Sequence, residues 1–251
     1  MGTKTLSTMK LAITFWGTQK YIEFLPQWYE RLEKYFLPGV EKTYFVFTDG
    51  DLEGCPDNVV KMEIPHYGFP TTYHKTFEEM LRLEDLVSDF DWLISVDADL
   101  YVQQEIVYDE FFDDSKKYIG VHHPCHFVGF PPHNQVPGSY DVNPLSNACI
   151  DDSILDMSVY YQGCLWGGKV PYIFDMIKQI DSWTKDDVQK NISARYYEES
   201  YMNKWYLTHR DDTITLSPEY AYPEMFADYC KFPNKMMHLA KDNAALDNNQ
   251  W

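Results

Sequence analysis

The sequence has no apolar run that approaches the ~20 residues a membrane-spanning helix needs. Residues 1–9 (MGTKTLSTM) lack the apolar stretch of a secretory signal. They read as a flexible leader, and the chain is expected to be cytoplasmic. Cysteine is scarce: Cys55, Cys125, Cys149, Cys164 and Cys230 are odd in number and contain no C-x-x-C pair. That pattern argues against a zinc cluster or a disulfide framework and leaves reduced thiols. Positive charge is short as well, with 21 Lys and Arg against 39 Asp and Glu and a net charge of −18. Such a field repels nucleic acid and anionic membrane, so neither is an expected partner. No internal repeat and no linker divides the chain. Its 251 residues suffice for one sizeable core, predicted over 10–240, with a flexible tail over 241–251.

Aromatics are plentiful, including 20 Tyr and 7 Trp. Flat rings can cover the C–H face of a pyranose, although core packing accounts for most of them. Short apolar runs over 10–15, 43–47, 59–64 and 92–96 read as buried strands, the second ending at the turn signal Thr48-Asp49-Gly50. Apolar spacing over 22–36, with Pro26 in the first turn, and over 77–87 predicts helices. The alternation predicts an α/β fold with a largely parallel central sheet flanked by helices. Residues 121–150, rich in Pro, His, Asn and Gly, read as a long irregular excursion of the functional kind. Order resumes over 159–168, followed by predicted helices over 170–183 and 196–207 and a strand over 213–216. The polar stretch from Lys235 onward is expected to be a tail.

Four groups of residues carry potential chemistry. Asp97-Ala98-Asp99 stands directly after the apolar strand WLISV. In open parallel sheets ligands sit beyond the carboxyl ends of strands, and two hard carboxylates there suit Mn²⁺ or Mg²⁺. Alternatively D-x-D is a common surface turn. Glu198-Glu199 lies on a predicted helix. Adjacent positions point about 100° apart, so one acid can face a cleft, although a solvated helix face explains the pair equally. His122-His123-Pro124 lies in the irregular stretch, where a histidine could bond an acceptor hydroxyl. The run Tyr160–Gly168 (YYQGCLWGG) contains small residues that permit close approach to a ligand, or simply bend the chain.

In this order and spacing, these elements resemble glycosyltransferase family 6, the family of the ABO blood-group and α1,3-galactosyltransferases and of smaller, anchorless bacterial- or phage-type members. The shared anchors are TYFVFTD (43–49), VDAD (96–99), His123-Pro124, the Y-x-x-x-P-x-S-x-A-x-I frame (140–150), YYQGCLWGG, EESYMNKW (198–205) and LSPEY (216–220). The resemblance spans about 10–241. It implies a GT-A fold of Rossmann-like type and a UDP-galactose or UDP-GalNAc donor. It also implies retaining α-transfer to the 3-OH of a β-galactoside-type glycan acceptor. By position it makes Asp97 and Asp99 the metal- and UDP-binding acids and Glu199 the catalytic carboxylate. It assigns Trp16, Tyr21, Gln162, Gly163, Cys164, Glu198 and Lys241 to the donor, and His123, Tyr196 and Tyr197 to the acceptor. The anionic donor agrees with the acidic chain only if a cation and local lysines offset the field.

Several positions depart from the family pattern. Tyr197 replaces the His that opens H-D-E-S, Tyr196 a Trp, and Glu198 an Asp. Val142 and Asn143 replace two arginines. Thr76 stands where a donor-side Arg is expected, and the neighbouring Lys75 is expected to substitute for it. Both acids of D-x-D are kept, which predicts metal dependence. Cys164 stands where GalNAc enzymes tend to keep Gly, which favours UDP-galactose. The competing readings are a GT-A enzyme with another UDP-sugar, a catalytically silent carbohydrate- or nucleotide-binding protein, and a D-x-D phosphohydrolase.

Overall fold

A computed structural model of the chain describes residues 8–124, 139–229 and 233–241. Most of the expected leader, all of the expected tail except Lys241, and Cys125 and Cys230 lie outside these residues. The chain opens with β1 (Lys10–Trp16), in which Leu11, Ala12, Ile13, Thr14 and Phe15 are all fully buried. Leu11, Ile13 and Phe15 join one core cluster and Ala12 joins another. A strand covered on both faces reads as a continuous apolar run, and this one did. A 3₁₀ turn at Gln19–Phe24 leads into α1 (Leu25–Tyr35). Pro26 sits in its first turn, where no backbone donor is needed, and Trp28 and Leu32 are buried.

β2 (Glu41–Thr48), β3 (Val59–Glu63) and β4 (Trp92–Val96) follow as expected. The helix predicted over 77–87 is corrected: α2 spans Thr71–Met80, and a 3₁₀ turn at Leu81–Leu83 ends it. Phe77, Met80, Leu83 and Val87 are all buried, so one-turn apolar spacing continues past the end of the α-helix. The first turn, Thr71–Thr76, was missed because its Tyr and His face other rings and not the core.

Next come β5 (Leu100–Val102), the short α3 (Tyr108–Phe111), β6 (Tyr118–His122) and β7 (Tyr161–Lys169). α4 (Tyr172–Gln189) runs past its predicted end at 183, and α5 (Tyr197–Thr208) and β8 (Thr213–Leu216) match closely. β9 (Tyr222–Pro223) and β10 (Met236–His238) complete the described strands. β10 lies where an unpatterned tail was expected to begin.

The main sheet has seven strands in the order β3-β2-β1-β4-β7-β6-β8. β1, β2, β3 and β4 run parallel, as do β6 and β8, while β7 runs antiparallel to β4 and β6. The expected α/β architecture is therefore present, with α1 on one face and α2, α4 and α5 on the other. β7 is threaded tightly: a β-carbon at Gly168 would come 2.7 Å from the Lys117 carbonyl oxygen. That is why a glycine pair stands mid-strand. A three-stranded sheet, β5-β10-β9, packs beyond the tip of β4, with β10 antiparallel to β5.

Two local features position the site. The β6–β7 register jumps from Gly120↔Trp166 to Val121↔Gln162, leaving residues 163–165 without β6 partners. Such irregularities re-aim backbone groups. α5 is anchored by Asn203, fully buried, which accepts the Tyr161 N–H at 2.8 Å and donates to the carbonyls of Tyr161 at 2.8 Å and Glu199 at 2.9 Å.

Candidate active site

The chain leaves β4 at Val96 and turns through Asp97-Ala98-Asp99 before β5 begins. The turn is held by backbone contacts on every side. The Asp97 N–H donates to the Cys164 carbonyl at 2.9 Å, and the Leu239 N–H to the Asp99 carbonyl at 2.9 Å. The Trp28 indole N–H donates to the Asp97 carbonyl at 3.1 Å. The aspartate side chains are thereby left to face the cleft. Asp99 is 4% exposed and Asp97 48%.

A third group joins them that the sequence reading missed. The β10–β5 register sets His238 opposite Leu100, which brings its Nδ1 to 3.3 Å from Asp99 and its Nε2 to 3.9 Å from Asp97. One ligand atom from each of Asp97, Asp99 and His238 lies within 4.8 Å of the others. His238 Nε2 is buried and makes no hydrogen bond among the described residues. Lys241 forms an ion pair with Asp99 and places its ammonium 5.1 Å from the centre of the Tyr21 ring. Burial and the charge of Asp99 push Asp97 up to about 6. Burial acts on Asp99 in the same sense, but the hydrogen bonds and charges of His238 and Lys241 outweigh it and hold that carboxyl well below the usual range. Two carboxylate oxygens and an imidazole nitrogen form a donor set suited to a hard or borderline divalent cation.

A cleft of about 360 Å³ opens from this turn. One wall is Trp16, Gly17, Thr18 and Tyr21, after β1. The other is Ile64–Phe69 with Thr72 and Tyr73, leading into α2. Trp16 stacks flat on Phe47, ring centres 4.2 Å apart, and its indole N–H is buried without a partner among the described residues. Thr18 Oγ1 and His66 Nδ1 bond across the cleft at 2.8 Å. A larger hollow, about 540 Å³, lies at the other end of β4 by Met9 and Trp92. Two of its acids are engaged, Asp91 by the Lys10 N–H and Asp114 by Tyr108 and Lys169.

On the far side of Cys164 stand the two glutamates. The Gly163 N–H, freed by the register jump, donates to Glu199 Oε2 at 2.8 Å, and the Tyr160 hydroxyl donates to Oε1 at 2.7 Å. A β-carbon at Gly163 would come 3.5 Å from Glu199 Oε2 and 3.9 Å from Glu198 Oε1, so both acids pack over that glycine. Burial, only partly offset by those two hydrogen bonds, pushes Glu199 up to about 7. Burial and the charges of Glu199 and Asp97 raise Glu198 well above the carboxylate range. The Cys164 thiol lies between the acid groups: burial, then Asp97, Asp99 and Glu199, drive its pKa upward. The structure thus brings Asp97, Asp99, Gly163, Cys164, Glu198 and Glu199 together across one strand. Trp16, Tyr21 and Lys241 line the adjoining cleft. Gln162 is next in line, with a buried side-chain oxygen that has no partner among the described residues.

Lys75 is not brought in. Its ammonium bonds Glu78 at 3.0 Å, and Glu78 also holds Lys185 of α4 at 3.2 Å. Of the residues expected at an acceptor, the His123 ring meets the Tyr160 ring edge-on at 5.9 Å. Tyr196 is 43% exposed, under the Arg195 guanidinium at 5.6 Å. Tyr197 stacks on Tyr73 at 5.3 Å and meets Phe69 edge-on at 5.1 Å, so it backs the α2 wall. Its φ of 47° places a bulky residue in the left-handed region immediately before the glutamates, a conformation that costs energy and clusters at functional sites.

Among the described residues, no helix is long and apolar enough to cross a membrane. Comparison with known proteins shows the family. The O-antigen biosynthesis glycosyltransferase WbnI of Escherichia coli is 28% identical over 222 residues, covering 88% of this chain and 91% of that protein. Histo-blood group ABO system transferase 2 of Rattus norvegicus is 25% identical over 260 residues, covering 97% and 73%. The human Globoside alpha-1,3-N-acetylgalactosaminyltransferase 1 is 25% identical over 231 residues, covering 86% of this chain and 62% of its own length. The sequence model of Glycosyltransferase family 6 matches residues 74–245, a span that holds both acid pairs, His238 and Lys241. On that match the chain belongs to glycosyltransferase family 6.

Proposed function

We propose that this glycosyltransferase moves galactose from UDP-galactose, with UDP-GalNAc as the alternative donor, onto the 3-OH of a β-galactoside-type sugar, forming an α-linkage with retention. The observation that carries the proposal is the span of β7. The Asp97 N–H bonds to Cys164 and the Glu199 carboxylate bonds to Gly163, so a diphosphate site and a carboxylate for the sugar are one residue apart on a fixed strand.

A divalent cation held by Asp97, Asp99 and His238, Mn²⁺ or Mg²⁺ by its oxygen-rich donor set, would neutralise charge on the departing diphosphate. Lys241 can leave Asp99 for a phosphate oxygen and supply further positive charge at the cleft floor. Trp16, Tyr21 and Thr18 form the wall on which the nucleoside rests. Glu199, its two oxygens fixed by Tyr160 and Gly163, faces the position of the anomeric carbon. There it either bonds to that carbon transiently or stabilises its positive charge while the acceptor attacks. Glu198 packs beside it and contacts the donor sugar. His123, Tyr196 and Tyr197 flank the acceptor. The human relative's name specifies N-acetylgalactosamine; the preference for galactose here rests on Cys164, a buried side chain at the position where the family resemblance expects glycine in GalNAc enzymes.

UDP release and product NMR with both donors, a β-galactoside acceptor and Mn²⁺ test the proposal. The expected outcome is faster turnover of UDP-galactose, an α-anomeric product and loss of activity in EDTA. Release that continues in EDTA, or a β-linked product, would overturn it.

A further inference from the structure

Tyr160 has a place in the site that neither its motif nor its burial explains. Its ring is enclosed: Tyr140 packs against it at 5.3 Å and His123 at 5.9 Å, and its carbonyl accepts the His123 N–H at 2.7 Å. Packing fully accounts for the ring. The hydroxyl is separate: it donates to Glu199 Oε1 at 2.7 Å. The other oxygen of that carboxylate takes the Gly163 N–H at 2.8 Å. With one donor on each oxygen, the plane of the carboxylate is fixed, and each oxygen keeps a lone pair for the cleft.

We propose that Tyr160 is a positioning residue for Glu199, its hydroxyl holding the carboxylate in one orientation and favouring its ionised form. The proposal rests on Glu199 as the group that faces the anomeric carbon. The groups around Glu199 are Glu198 on its own helix, Asp97 at the β4 tip, Cys164 and Gly163 on β7, and Tyr160 before it. Burial and the charge of Asp97 oppose ionisation of Glu199. Tyr160 and the Gly163 amide are the groups that act in the other direction. Burial and the adjacent Glu199 charge keep the Tyr160 hydroxyl protonated well above the ordinary tyrosine range, so it stays a donor at every working pH. Tyr160 also holds His123 through its backbone carbonyl and an edge-on ring contact, so one residue touches both Glu199 and the proposed acceptor side.

The test is Tyr160→Phe, which removes the hydroxyl and keeps the ring. A hydrogen bond to a charged group is worth enough that kcat should fall by ~10–100-fold, with donor KM and UDP affinity unchanged. The acid limb of the kcat–pH profile should move to higher pH, a change that loss of packing alone would not cause. In a Glu199→Gln background, removing the hydroxyl should cost little more, because its partner has lost its charge. Should Tyr160→Phe fold poorly, 3-fluorotyrosine at 160 keeps the shape and strengthens the donor, and the acid limb should then move to lower pH. An unmoved pH profile, or an equal loss of kcat in both backgrounds, would overturn the proposal. Wild-type rates in Glu199→Gln alone would instead remove the role of Glu199, and that of Tyr160 with it.

Discussion

Two groups of carboxylates sit on neighbouring parts of this molecule and are treated in opposite ways. Asp187, near the end of α4, is fully buried and surrounded by donors. It accepts the Ser146 hydroxyl at 2.8 Å, the Tyr201 hydroxyl at 2.9 Å and the Asn147 N–H at 2.9 Å. Asp141, 4% exposed, accepts the N–H groups of Asn143 at 2.8 Å and Arg195 at 2.9 Å. Together they tie the irregular 139–150 stretch to α4 and to the chain leading into α5. Asp97, Glu198 and Glu199 instead crowd one another across β7 with few donors, and all three are pushed upward in pKa. Burial alone does not single out the acids proposed to act in the site. A saturated carboxylate is a structural bolt, whereas a crowded one with displaced protonation stores the tension that a ligand can relieve.

The sharpest way to separate the groups is to neutralise one acid in each. Glu199→Gln should lower kcat by ~10²–10⁴-fold with UDP affinity retained, since the lost interaction belongs to the transition state. Single-turnover kinetics alongside UDP titration check this, and near-normal turnover would end the distinction. Asp187→Ala should do the reverse. It strands the donors of Ser146, Asn147 and Tyr201 in the interior, at a cost of about 2–4 kcal/mol in unfolding free energy. Affinity for UDP and Mn²⁺ should stay at the wild-type level, because no cleft residue is touched. Urea denaturation reads the first effect and calorimetric titration the second. A variant with normal stability and lost UDP binding would place Asp187 with the functional acids.

Why one group was legible in the sequence and the other was not has a physical cause. Asp97 and Asp99 stood out because a buried apolar strand ends at them, and strand burial can be read from five consecutive residues. Glu198 and Glu199 were ambiguous on pattern alone, and family likeness singled them out. α5 is buried on nearly every side, so no polar face marks which acid looks inward. His238 could not be found, because a three-residue strand is too short for periodicity and its partner β5 is far earlier in the chain. Lys75 failed as a substitute for its neighbour because one step along a helix rotates a side chain by about 100°. That rotation turns it from the cleft toward α4. Asp187 drew no notice at all, since its donors, the Ser146 and Tyr201 hydroxyls and the Asn147 N–H, come from two stretches of chain that sequence patterns do not connect to α4.

The smallest expected effect is on stability against pH. Asp97, at about 6, and Glu199, at about 7, bind protons more tightly when folded than as free carboxyls. For groups raised in this way, the stabilising contribution is complete below the unfolded value and is lost as pH rises through the folded one. Asp99, held low, gives the opposite contribution, but that one is already fully present above pH 5. Between about pH 5.5 and 8 the metal-free protein should therefore lose stability, its thermal midpoint falling by roughly 2–4 °C for each kcal/mol. The general repulsion of a chain at −18 acts in the same direction, so the wild-type slope alone does not locate the cause. The difference between wild type and Glu199→Gln does, because the substitution removes one titrating group and barely changes the net charge. Its slope should be shallower, and Mn²⁺ should raise the midpoint of both proteins more at pH 8 than at pH 5.5, where protons compete for the ligands. Identical slopes, with a Mn²⁺ effect independent of pH, would mean that Glu199 does not titrate in this window.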